Sequence, residues 1–273
     1  MEPEVLLSAM YLDNENYIDT LNIHTDCVVI NQCDREGIRR VVHDSAKGKV
    51  NITYVETKDR GLSRSRNEAI GKARGDICIL CDNDVEYVED YDRIIREAFL
   101  RHRDADIIVF FIKRPEREHP VFERSRRMGY LSVLKIFSPE IAFKRDSVRD
   151  VSFNELFGAG ARFFMGEENL FLYECLRKHK KIVYVPEMIA KVRDEESTWF
   201  KGYDSDFFIS RGANYAAMSR IFSWALILQF ALRKRNLYSK NMKMSKAVSD
   251  MIKGRKEYLS VMRTRDNEDF SRG

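Results

Sequence analysis

Short apolar runs alternate with longer helical stretches over most of the chain. Five of these runs are rich in β-branched residues and bounded by polar ones, which predicts β-strands: Val5 to Leu7, Cys27 to Ile30, Ile52 to Val55, Ile77 to Cys81 and Ile107 to Ile112. Leu62 to Ala73 and Asp90 to Arg103 have the spacing and end signals of helices. This alternation predicts an α/β fold with a mostly parallel central sheet flanked by helices. Such a sheet binds its ligands beyond the carboxyl ends of the strands.

The pattern is interrupted at Arg114 to Arg127, which is rich in arginine, contains two prolines and has little apolar periodicity. We predict a loop there, either a solvated insertion or a segment that grips a charged substrate. A second α/β stretch follows it. Ile136 to Lys144 begins this stretch, Glu167 to Lys178 is predicted to be a helix, and a strand-like run over Lys181 to Val185 ends at Pro186.

Charge divides the chain into a body and a tail. The formal net charge is +4, but residues 215–273 contain 13 lysines and arginines and five acids, so this tail carries +8 and residues 1–214 carry −4. We therefore predict one domain over residues 1–214 and a basic amphipathic helical tail over residues 215–273. A basic tail on a weakly acidic body indicates an anionic partner, which could be lipid or nucleic acid.

Two helices are predicted in the tail. Ile221 to Leu232 is almost continuously apolar and is followed at once by three basic residues, Arg233 to Arg235. Its 12 residues are too few to span a bilayer, which needs about 20. In the second helix, apolar residues fall on one stripe opposite charged ones: Met244, Val248, Met251, Ile252, Tyr258, Leu259 and Met262. We predict that the tail docks on an anionic membrane surface without crossing it; packing of both helices on the body is the alternative.

The sequence also bears on cellular location. The chain starts with an acidic segment without the features of a signal peptide, and its five cysteines are scattered without a disulfide framework. A cytoplasmic location is expected, with the tail at the inner face of the cell membrane. Cys78 and Cys81 lie on a predicted strand and have no second cysteine pair, so we interpret them as core residues and not as a zinc site.

Two carboxylates follow the predicted strand Ile77 to Cys81. Asp82 and Asp84 lie two residues apart, at the sheet edge where α/β proteins bind ligands. Acids so close repel each other, and a hard divalent cation such as Mg²⁺ or Mn²⁺ relieves that repulsion and bridges to diphosphate oxygens. Alone, this D-x-D pattern is a weak signal, because acids commonly end strands.

The residues before these carboxylates give them a context. The segment Gly61 to Asp84 contains a Gly-Leu-Ser-x-x-Arg-Asn helix, an Ala-x-Gly-Asp turn, an apolar strand and the D-x-D pair, in that order. This arrangement resembles the family 2 glycosyltransferases, which have the GT-A fold. The resemblance implies a metal-dependent enzyme in which Arg66 lies near the nucleotide of a nucleotide-sugar donor. It also implies that Asp82 serves the ribose and that Asp82 and Asp84 hold Mn²⁺ or Mg²⁺.

The resemblance extends to both sides of this segment. Tyr11 follows the first strand, where the family has a short loop against the base, and its ring could stack there. Asn31 ends the second predicted strand, where relatives usually place an aspartate on uracil. Residues 197–200, Ser-Thr-Trp-Phe, are similar to a stretch of bacterial polysaccharide-assembly members of the family. Residues in that region of the family usually close over the donor diphosphate or the acceptor.

A pair of acids opens the predicted helix Glu167 to Lys178. Gly166-Glu167-Glu168 resembles the family's Glu-Asp motif, in which the second acid is the catalytic base. The resemblance implies that Glu168 is the base, with Glu167 as the alternative within the pair. The structural reading of the same pair is a first-turn cap that the helix macrodipole favours, and the two readings are compatible.

Together these features predict an inverting transferase that moves a sugar from a nucleotide-diphosphate-sugar donor to an acceptor hydroxyl. The resemblance to polysaccharide-assembly enzymes implies a saccharide acceptor, of which a lipid-diphosphate-linked one is a candidate. A sugar-nucleotidyltransferase is a second reading, but it needs a glycine-rich loop after the first strand and Ser8 to Asn16 has no glycine. A basic nucleic-acid-binding protein is a third, but the tail lacks a stacked aromatic pattern and no nucleic-acid partner is expected. The sequence contains neither a G-x-G-x-x-G nor a Walker A motif.

Overall fold

The structure is a computed structural model that describes residues 1–115, 117–193 and 202–272, with side chains described as far as residue 264. The family-like stretch at residues 197–200 therefore lies outside the described residues. The chain forms two compact units. One consists of Met1–Phe153 with Phe171–Glu196, and the other of Asn154–Leu170 with Ser197–Gly273. The predicted division after residue 214 rests on charge and not on packing, and it stays a prediction.

The first unit is built on a ten-stranded sheet. Its strands are β1 (Pro3–Met10), β2 (Asp26–Gln32), β3 (Gly37–Ser45), β4 (Gly48–Thr57), β5 (Ile77–Asp82), β6 (Val85–Tyr87), β7 (Ile107–Lys113), β8 (Arg126–Arg127), β9 (Ile141–Lys144) and β10 (Ile182–Val192). Their order is β3-β4-β2-β1-β5-β9-β7-β10-β6, and β8 pairs with β10. The central strands β4, β2, β1 and β5 are parallel, as are β7 and β10. This sheet confirms the predicted α/β class.

Helices accompany the sheet where the sequence predicts them. The predicted helices are α2 (Leu62–Lys72), α3 (Tyr91–Arg101) and α4 (Glu167–Arg177), and the short α1 (Tyr17–Thr20) has no counterpart in the prediction. The five predicted strands correspond to β1, β2, β4, β5 and β7, whose apolar residues form the core. Because a parallel sheet is covered on both faces, these strands read as continuous apolar runs and are easy to recognise.

Several strands differ from the sequence prediction. β8 lies within the predicted loop Arg114 to Arg127, and β6 has no counterpart in the prediction. β3 is an edge strand whose side chains are mostly exposed, so its apolar residues are interrupted by charged ones and do not form a continuous apolar run. β10 continues past Pro186, where the prediction ended it. Its pairing with β7 shifts register between Tyr184 and Met188, and an irregularity of this kind accommodates a residue that cannot donate a ladder hydrogen bond.

A buried carboxylate fixes the turn that leads into β5. Glu4 is buried and accepts hydrogen bonds from the backbone N–H groups of Arg74 at 2.5 Å and Gly75 at 2.7 Å. A Cβ atom on Gly75 would lie 2.6 Å from the Cβ of Glu4, so a larger residue does not fit without a shift. The Ala-x-Gly-Asp turn thus attaches the start of β5 to β1.

The second unit contains α5 (Ser205–Met218), α6 (Ser223–Arg233), α7 (Arg235–Tyr238) and α8 (Met244–Arg272). Helices α5 and α8 approach each other at two glycines. A Cβ on Gly212 would lie 1.9 Å from the carbonyl oxygen of Met251, and one on Gly254 would lie 1.8 Å from that of Ile209. The two backbones are therefore in direct contact, which no residue with a side chain allows at these positions.

Part of the apolar stripe of α8 packs inside this unit. Met251 and Tyr258 are buried, and the Tyr258 ring lies 5.6 Å from that of Phe157 and 6.4 Å from that of Phe163. Met244 at the start of the stripe is 38% exposed. Docking of the tail on a membrane stays a prediction. No helix in the described ranges has both the length and the apolar character needed to cross a bilayer.

The close approach of α5 and α8 at Gly212 and Gly254 leads to a prediction about stability. We expect Gly254→Ala to lower the free energy of unfolding by about 1 to 3 kcal/mol, because the added methyl group forces α5 and α8 apart. Gly71→Ala is the matched control. Gly71 is exposed in α2 and a Cβ there meets nothing within 4 Å, so alanine should raise the same free energy by roughly 0.5 to 1 kcal/mol. Denaturant titration of both variants measures the difference, and a Gly254→Ala protein as stable as the parent contradicts the close crossing.

Candidate functional site

The candidate site is the edge of the sheet at which β1, β2 and β5 end. β1 pairs in parallel with β2 on one side and with β5 on the other. Strands that follow β1 in the chain are thus added first on one side of it and then on the other, so the strand order reverses at β1. Open α/β sheets bind ligands at the carboxyl ends of their strands at such a reversal. Tyr11 directly follows β1, Asn31 lies near the end of β2 and Asp82 ends β5. The topology brings these three predicted site residues to one edge.

Helix α2 carries the family motif and is attached to the neighbouring strands. Gly61 precedes the helix with a φ of +122°, a conformation that favours glycine, and its N–H donates to Oε1 of Gln32 at 2.7 Å. The Ser65 hydroxyl donates to the Ser8 hydroxyl at 2.8 Å, and Ser8 is the register partner of Asp82. These bonds fix the position of α2 relative to the end of β5.

A buried arginine on this helix holds the first carboxylate. Arg66 is 1% exposed, and its Nη2 donates to Oδ1 of Asp82 at 2.8 Å. The Arg66 guanidinium also lies 5.5 Å from the centre of the Phe153 ring. The neighbouring Asn67 fixes Phe153 by hydrogen bonds to its backbone carbonyl at 3.0 Å and from its N–H at 2.7 Å. Arg66 therefore orients Asp82 and offsets its charge.

The second carboxylate lies in a turn that is held from two sides. Asp84 is half-buried in the turn that joins β5 to β6. The Tyr17 hydroxyl donates to the carbonyl of Asn83 at 2.9 Å, and the N–H of Arg193 donates to the carbonyl of Asp84 at 2.8 Å. Both bonds are to the main chain, so they fix the turn through its backbone.

An exposed aromatic ring lies at the end of β1. Tyr11 has a φ of +53° and is 59% exposed. Its hydroxyl donates to Oδ1 of Asp34 at 3.4 Å and accepts from Nη2 of Arg60 at 3.3 Å, and Arg60 and Asp34 pair at 2.8 Å. The Arg60 guanidinium is held by backbone carbonyls as well, including that of Cys33 at 3.0 Å. The hydroxyl end of the ring is thus fixed, and the Arg60 guanidinium lies 5.5 Å from the ring centre, while the exposed part of the ring is available for stacking with a base.

The structure places Asn31 in the interior, away from any ligand at the surface. Its side chain is 0% exposed, its Oδ1 accepts from the N–H of Leu12 at 2.9 Å, and its Nδ2 donates to the Leu12 carbonyl and to the Tyr54 hydroxyl, both at 3.0 Å. Burial raises the pKa of Tyr54, so that hydroxyl stays protonated near neutral pH. In this structure Asn31 positions the loop after β1, and its expected contact with the base stays a prediction.

The donor atoms at the edge suit a hard divalent cation. Mg²⁺ is commonly bound by one or two carboxylates together with substrate phosphates and water, and Asp82 and Asp84 can supply that number. The described residues contain no group of three or more His, Cys, Asp or Glu side chains that could hold a metal by themselves. The residues present therefore fit an ion that is shared with a bound diphosphate, and they do not form a closed structural metal site.

The predicted acid pair lies in the second unit, at the start of α4. Glu167 is 5% exposed, and its carboxylate carbon lies 3.2 Å from where a Cβ on Gly158 would be. Glu168 is half-buried. The accessible acid of the pair is Glu168, the one that the family resemblance assigns as base, whereas Glu167 is packed in the interior of its unit.

Sequence analysis missed three residues at the sheet edge. Arg60 and Asp34 surround Tyr11, and Tyr17 holds the turn that carries Asp84. Arg60 stands next to Gly61 in the recognised segment, so its position gave a usable signal. Tyr17 and Asp34 have no local pattern that marks them. Asp34 contacts Tyr11 only where the segments after β1 and β2 meet, and Tyr17 contacts Asn83 only where α1 meets the turn after β5.

Comparison with known families accounts for the combination of motif and topology. The family described as glycosyl transferase family 2 matches residues 18–165, which is more than half of the chain. The chain belongs to this family. The match contains Arg66, Asp82 and Asp84, and it confirms the family resemblance of the segment Gly61 to Asp84. This family 2 member is thus a glycosyltransferase, while the comparison with curated proteins found no matching sequence.

Solved structures similar to this glycosyltransferase include several of TarS from S. aureus. The crystal structure of TarS residues 1–349 matches with a TM-score of 0.61 at 14% identity, covering 93% of this chain and 81% of that one. The same fragment in complex with UDP-GlcNAc gives 0.62 at 15% identity with the same coverage. A longer TarS structure gives 0.61 at 15% identity, covering 93% of this chain and 49% of that one. At this identity the likeness concerns the fold, and the predicted GT-A-like architecture with C-terminal helices is confirmed.

Proposed function

We propose that this glycosyltransferase moves a sugar from a nucleotide-diphosphate-sugar donor to an acceptor hydroxyl. The observation that carries the proposal is the sheet edge beside β1. Asp82, which the buried Arg66 holds, and Asp84 lie at the end of β5, and the exposed Tyr11 ring directly follows β1. A base stacked on Tyr11 and a diphosphate near the carboxylates would use both features of this edge. TarS, which shares the fold, has been crystallised with UDP-GlcNAc, and this agrees with a nucleotide-sugar donor.

Asp82 and Asp84 are the proposed ligands of Mg²⁺ or Mn²⁺. The ion, when bound with the donor, supplies positive charge that stabilises the departing nucleoside diphosphate. Arg66 keeps one oxygen of Asp82 in place, so the carboxylate does not have to reorient when the donor arrives. A preorganised carboxylate of this kind reduces the cost of assembling the site.

Glu168 is the proposed general base of an inverting reaction. It would take the proton of the acceptor hydroxyl, whose oxygen attacks the anomeric carbon while the bond from that carbon to the diphosphate oxygen breaks on the opposite face. The partial exposure of Glu168 supports this role over Glu167, which is packed against Gly158. A general base must reach the proton that it removes, and this condition favours the more accessible carboxylate of the pair.

A binding screen tests the proposed donor class. The protein is heated with Mn²⁺ and UDP, and in parallel with ADP, GDP or CDP, and unfolding is followed by fluorescence. A ligand at about 100 times its dissociation constant stabilises the folded state by roughly 2.7 kcal/mol, which is readily detected. We expect at least one nucleoside diphosphate to stabilise the protein in the presence of metal, and the sugar nucleotides of that base then become the substrates to assay. The absence of stabilisation by every one of them rejects the proposed donor site.

The proposed acceptor is a saccharide, and a lipid-diphosphate-linked one would be met at a membrane surface. Helix α6 and the residues next to it provide a candidate face for this, which we call the α6 face: Ile221, Phe222, Trp224, Leu228, Leu232 and Leu237, all between 48% and 79% exposed. The opposite side of α6 is buried within the second unit, at Leu226, Ile227 and Ala231. The apolar α6 face is thus directed away from the packing of its own unit.

The charge around the α6 face selects an anionic membrane as the partner. Between Asp206 and Asp250 the sequence contains eight lysines and arginines and no acidic residue. Arg233, Lys234 and Arg235 directly follow the helix and are exposed. Each basic residue near an anionic leaflet contributes about 1 kcal/mol, in addition to the burial of apolar side chains. We therefore propose peripheral association of the enzyme with the inner face of the cell membrane.

Cosedimentation with vesicles tests the α6 face. We expect the protein to bind vesicles that contain phosphatidylglycerol, to bind less at high salt, and to bind pure phosphatidylcholine weakly. Leu228→Ser with Leu232→Ser should weaken binding at least about a hundredfold, since each buried leucine is worth about 1.5 to 3 kcal/mol. Ile38→Ser with Val42→Ser is the matched control, because both are apolar residues that are more than half exposed and lie on β3, outside the α6 face. Equal vesicle binding by the two double variants rejects the membrane role. The role is also rejected if the α6-face variant loses self-association of the protein and keeps its vesicle binding.

A further inference from the structure

The turn that begins α4 is held by a side chain from α5. Gly166 has a φ of +84°, and its carbonyl accepts the first hydrogen bond of α4, from the N–H of Leu170 at 3.1 Å. The same carbonyl accepts a second bond from Nδ2 of Asn214 at 2.9 Å. Gly166 directly precedes Glu167 and Glu168, so Asn214 acts on the peptide unit from which the acid pair projects.

This contact admits little adjustment. Asn214 is 0% exposed, and a Cβ on Gly166 would lie 2.3 Å from its Nδ2. Glycine at position 166 is therefore required both by the positive φ and by the closeness of the amide. Asn214 and Gly166 form a donor–acceptor pair that fixes the direction in which α4 starts.

The side-chain oxygen of Asn214 indicates that this residue does not serve mainly to stabilise the fold. Within the part of the chain that the structure describes, its Oδ1 is buried without a hydrogen-bond partner. A buried amide oxygen left unpaired is destabilising, which offsets what the single bond from Nδ2 contributes. An apolar residue of similar size at position 214 would avoid this cost, but it would not hold the Gly166 carbonyl.

Helix α5 is itself fixed by α8. Gly212, two residues before Asn214, lies where the backbone of α5 meets Met251 of α8. The loop before Gly166 also rests on α8, through the contacts of Phe157 and Phe163 with Tyr258. The start of α4 is thus held by α5 and, through α5 and this loop, by the C-terminal helix.

We infer that Asn214 is a positioning residue that sets the orientation of the Glu168 carboxylate, and that α5 and α8 take part in catalysis through it. The inference rests on the proposed role of Glu168 as base. Its physical basis is that a displacement of about 1 Å in a catalytic group costs on the order of a hundredfold in rate. The side chain that prevents such a displacement affects the turnover number without touching the substrate.

The test compares two substitutions of Asn214 with a control on the same helix. Asn214→Leu removes the donor, and Asn214→Asp retains the shape but donates only when the new carboxyl is protonated. Ser210→Ala is the control, because Ser210 is buried in α5 one turn before Asn214. For each variant we measure the turnover number, the KM for the donor, the thermal midpoint and the dependence of rate on pH.

We expect Asn214→Leu to lower the turnover number roughly ten- to a hundredfold, with the donor KM within about twofold of the parent and a thermal midpoint at least as high. Asn214→Asp should show an ionisation in its rate profile that the parent lacks, because the introduced carboxyl donates to the Gly166 carbonyl only when it is protonated. Ser210→Ala should match the parent.

Three results overturn the inference, and they are distinguishable. If Glu168→Gln is inactive while both Asn214 variants turn over normally, Glu168 remains the base and only the positioning role is wrong. If Glu168→Gln is fully active, the proposed base and the inference fail together. A parallel fall in turnover, donor binding and thermal midpoint for both Asn214 variants also overturns the inference, because it marks Asn214 as a purely structural residue.

Discussion

Replacing Glu168 with glutamine is expected to lower the turnover number by at least about a hundredfold while the donor still binds. General-base catalysis typically contributes about 10²- to 10⁴-fold, or roughly 3 to 5 kcal/mol of the activation barrier. Glutamine has nearly the same shape as glutamate and cannot accept the acceptor's proton, so the loss should fall on the chemical step. Steady-state kinetics, together with a donor-binding titration, separates the two effects.

Glu167→Gln is the matched control for this substitution. Glu167 is 5% exposed and lies against Gly158, so we expect the change to affect stability and to leave the chemical step largely intact. The assignment within the pair is wrong if Glu167→Gln is the inactive variant and Glu168→Gln turns over at the parental rate. Because glutamine is nearly the same size as glutamate, neither variant adds volume at the start of α4, and the two can be compared directly.

The second large effect is expected at the carboxylates after β5. Asp84→Ala should abolish transferase activity and leave the fold intact, because a half-buried carboxylate that only ends a strand would change the free energy of unfolding by about half a kcal/mol or less. Removal of divalent ions with excess EDTA should likewise abolish turnover, and added Mn²⁺ or Mg²⁺ should restore it. Full turnover in EDTA would exclude the metal role.

A binding measurement distinguishes loss of the metal site from damage to the fold. Stabilisation of the parent protein by its nucleoside diphosphate should depend on Mn²⁺, and this dependence should disappear in Asp84→Ala. Asp44→Ala is the control, because Asp44 is an exposed aspartate on the edge strand β3. If Asp44→Ala and Asp84→Ala respond alike to Mn²⁺, then Asp84 does not hold the ion.

The sheet and most of the candidate edge follow from local sequence. A parallel strand is buried on both faces, so its apolar run is unbroken and its end is marked by a change to polar residues, as at Asp82. The family motif between Gly61 and Asp84 adds order to these signals. The motif predicts that Arg66 lies near the nucleotide. Its bond to Asp82 is visible only in the structure, since it depends on how α2 is anchored to Ser8 and Gln32.

Other features depend on contacts that a linear pattern does not contain. The end of β2 predicts a ligand contact for Asn31, but Leu12 and Tyr54 use both ends of its amide. The stripe on α8 has the same periodicity whether it meets a bilayer or another helix, and only the partners of Met251 and Tyr258 show which it meets. Asn214 has no motif at all. Its role depends on Gly166, which is 48 residues away in sequence.

The second unit is assembled from two separate stretches of chain, and this has a consequence for biosynthesis. Residues 154–170, which carry the acid pair, share their unit with residues that leave the ribosome much later, among them Asn214 and Tyr258. At about 5 to 20 residues per second, Tyr258 emerges several seconds after the acids have been made. A nascent chain can complete the strands of its sheet before the surroundings of Glu168 exist. Active enzyme is therefore expected to accumulate only after α8 has been released, so a ribosome stalled within that helix should carry a folded but inactive sheet.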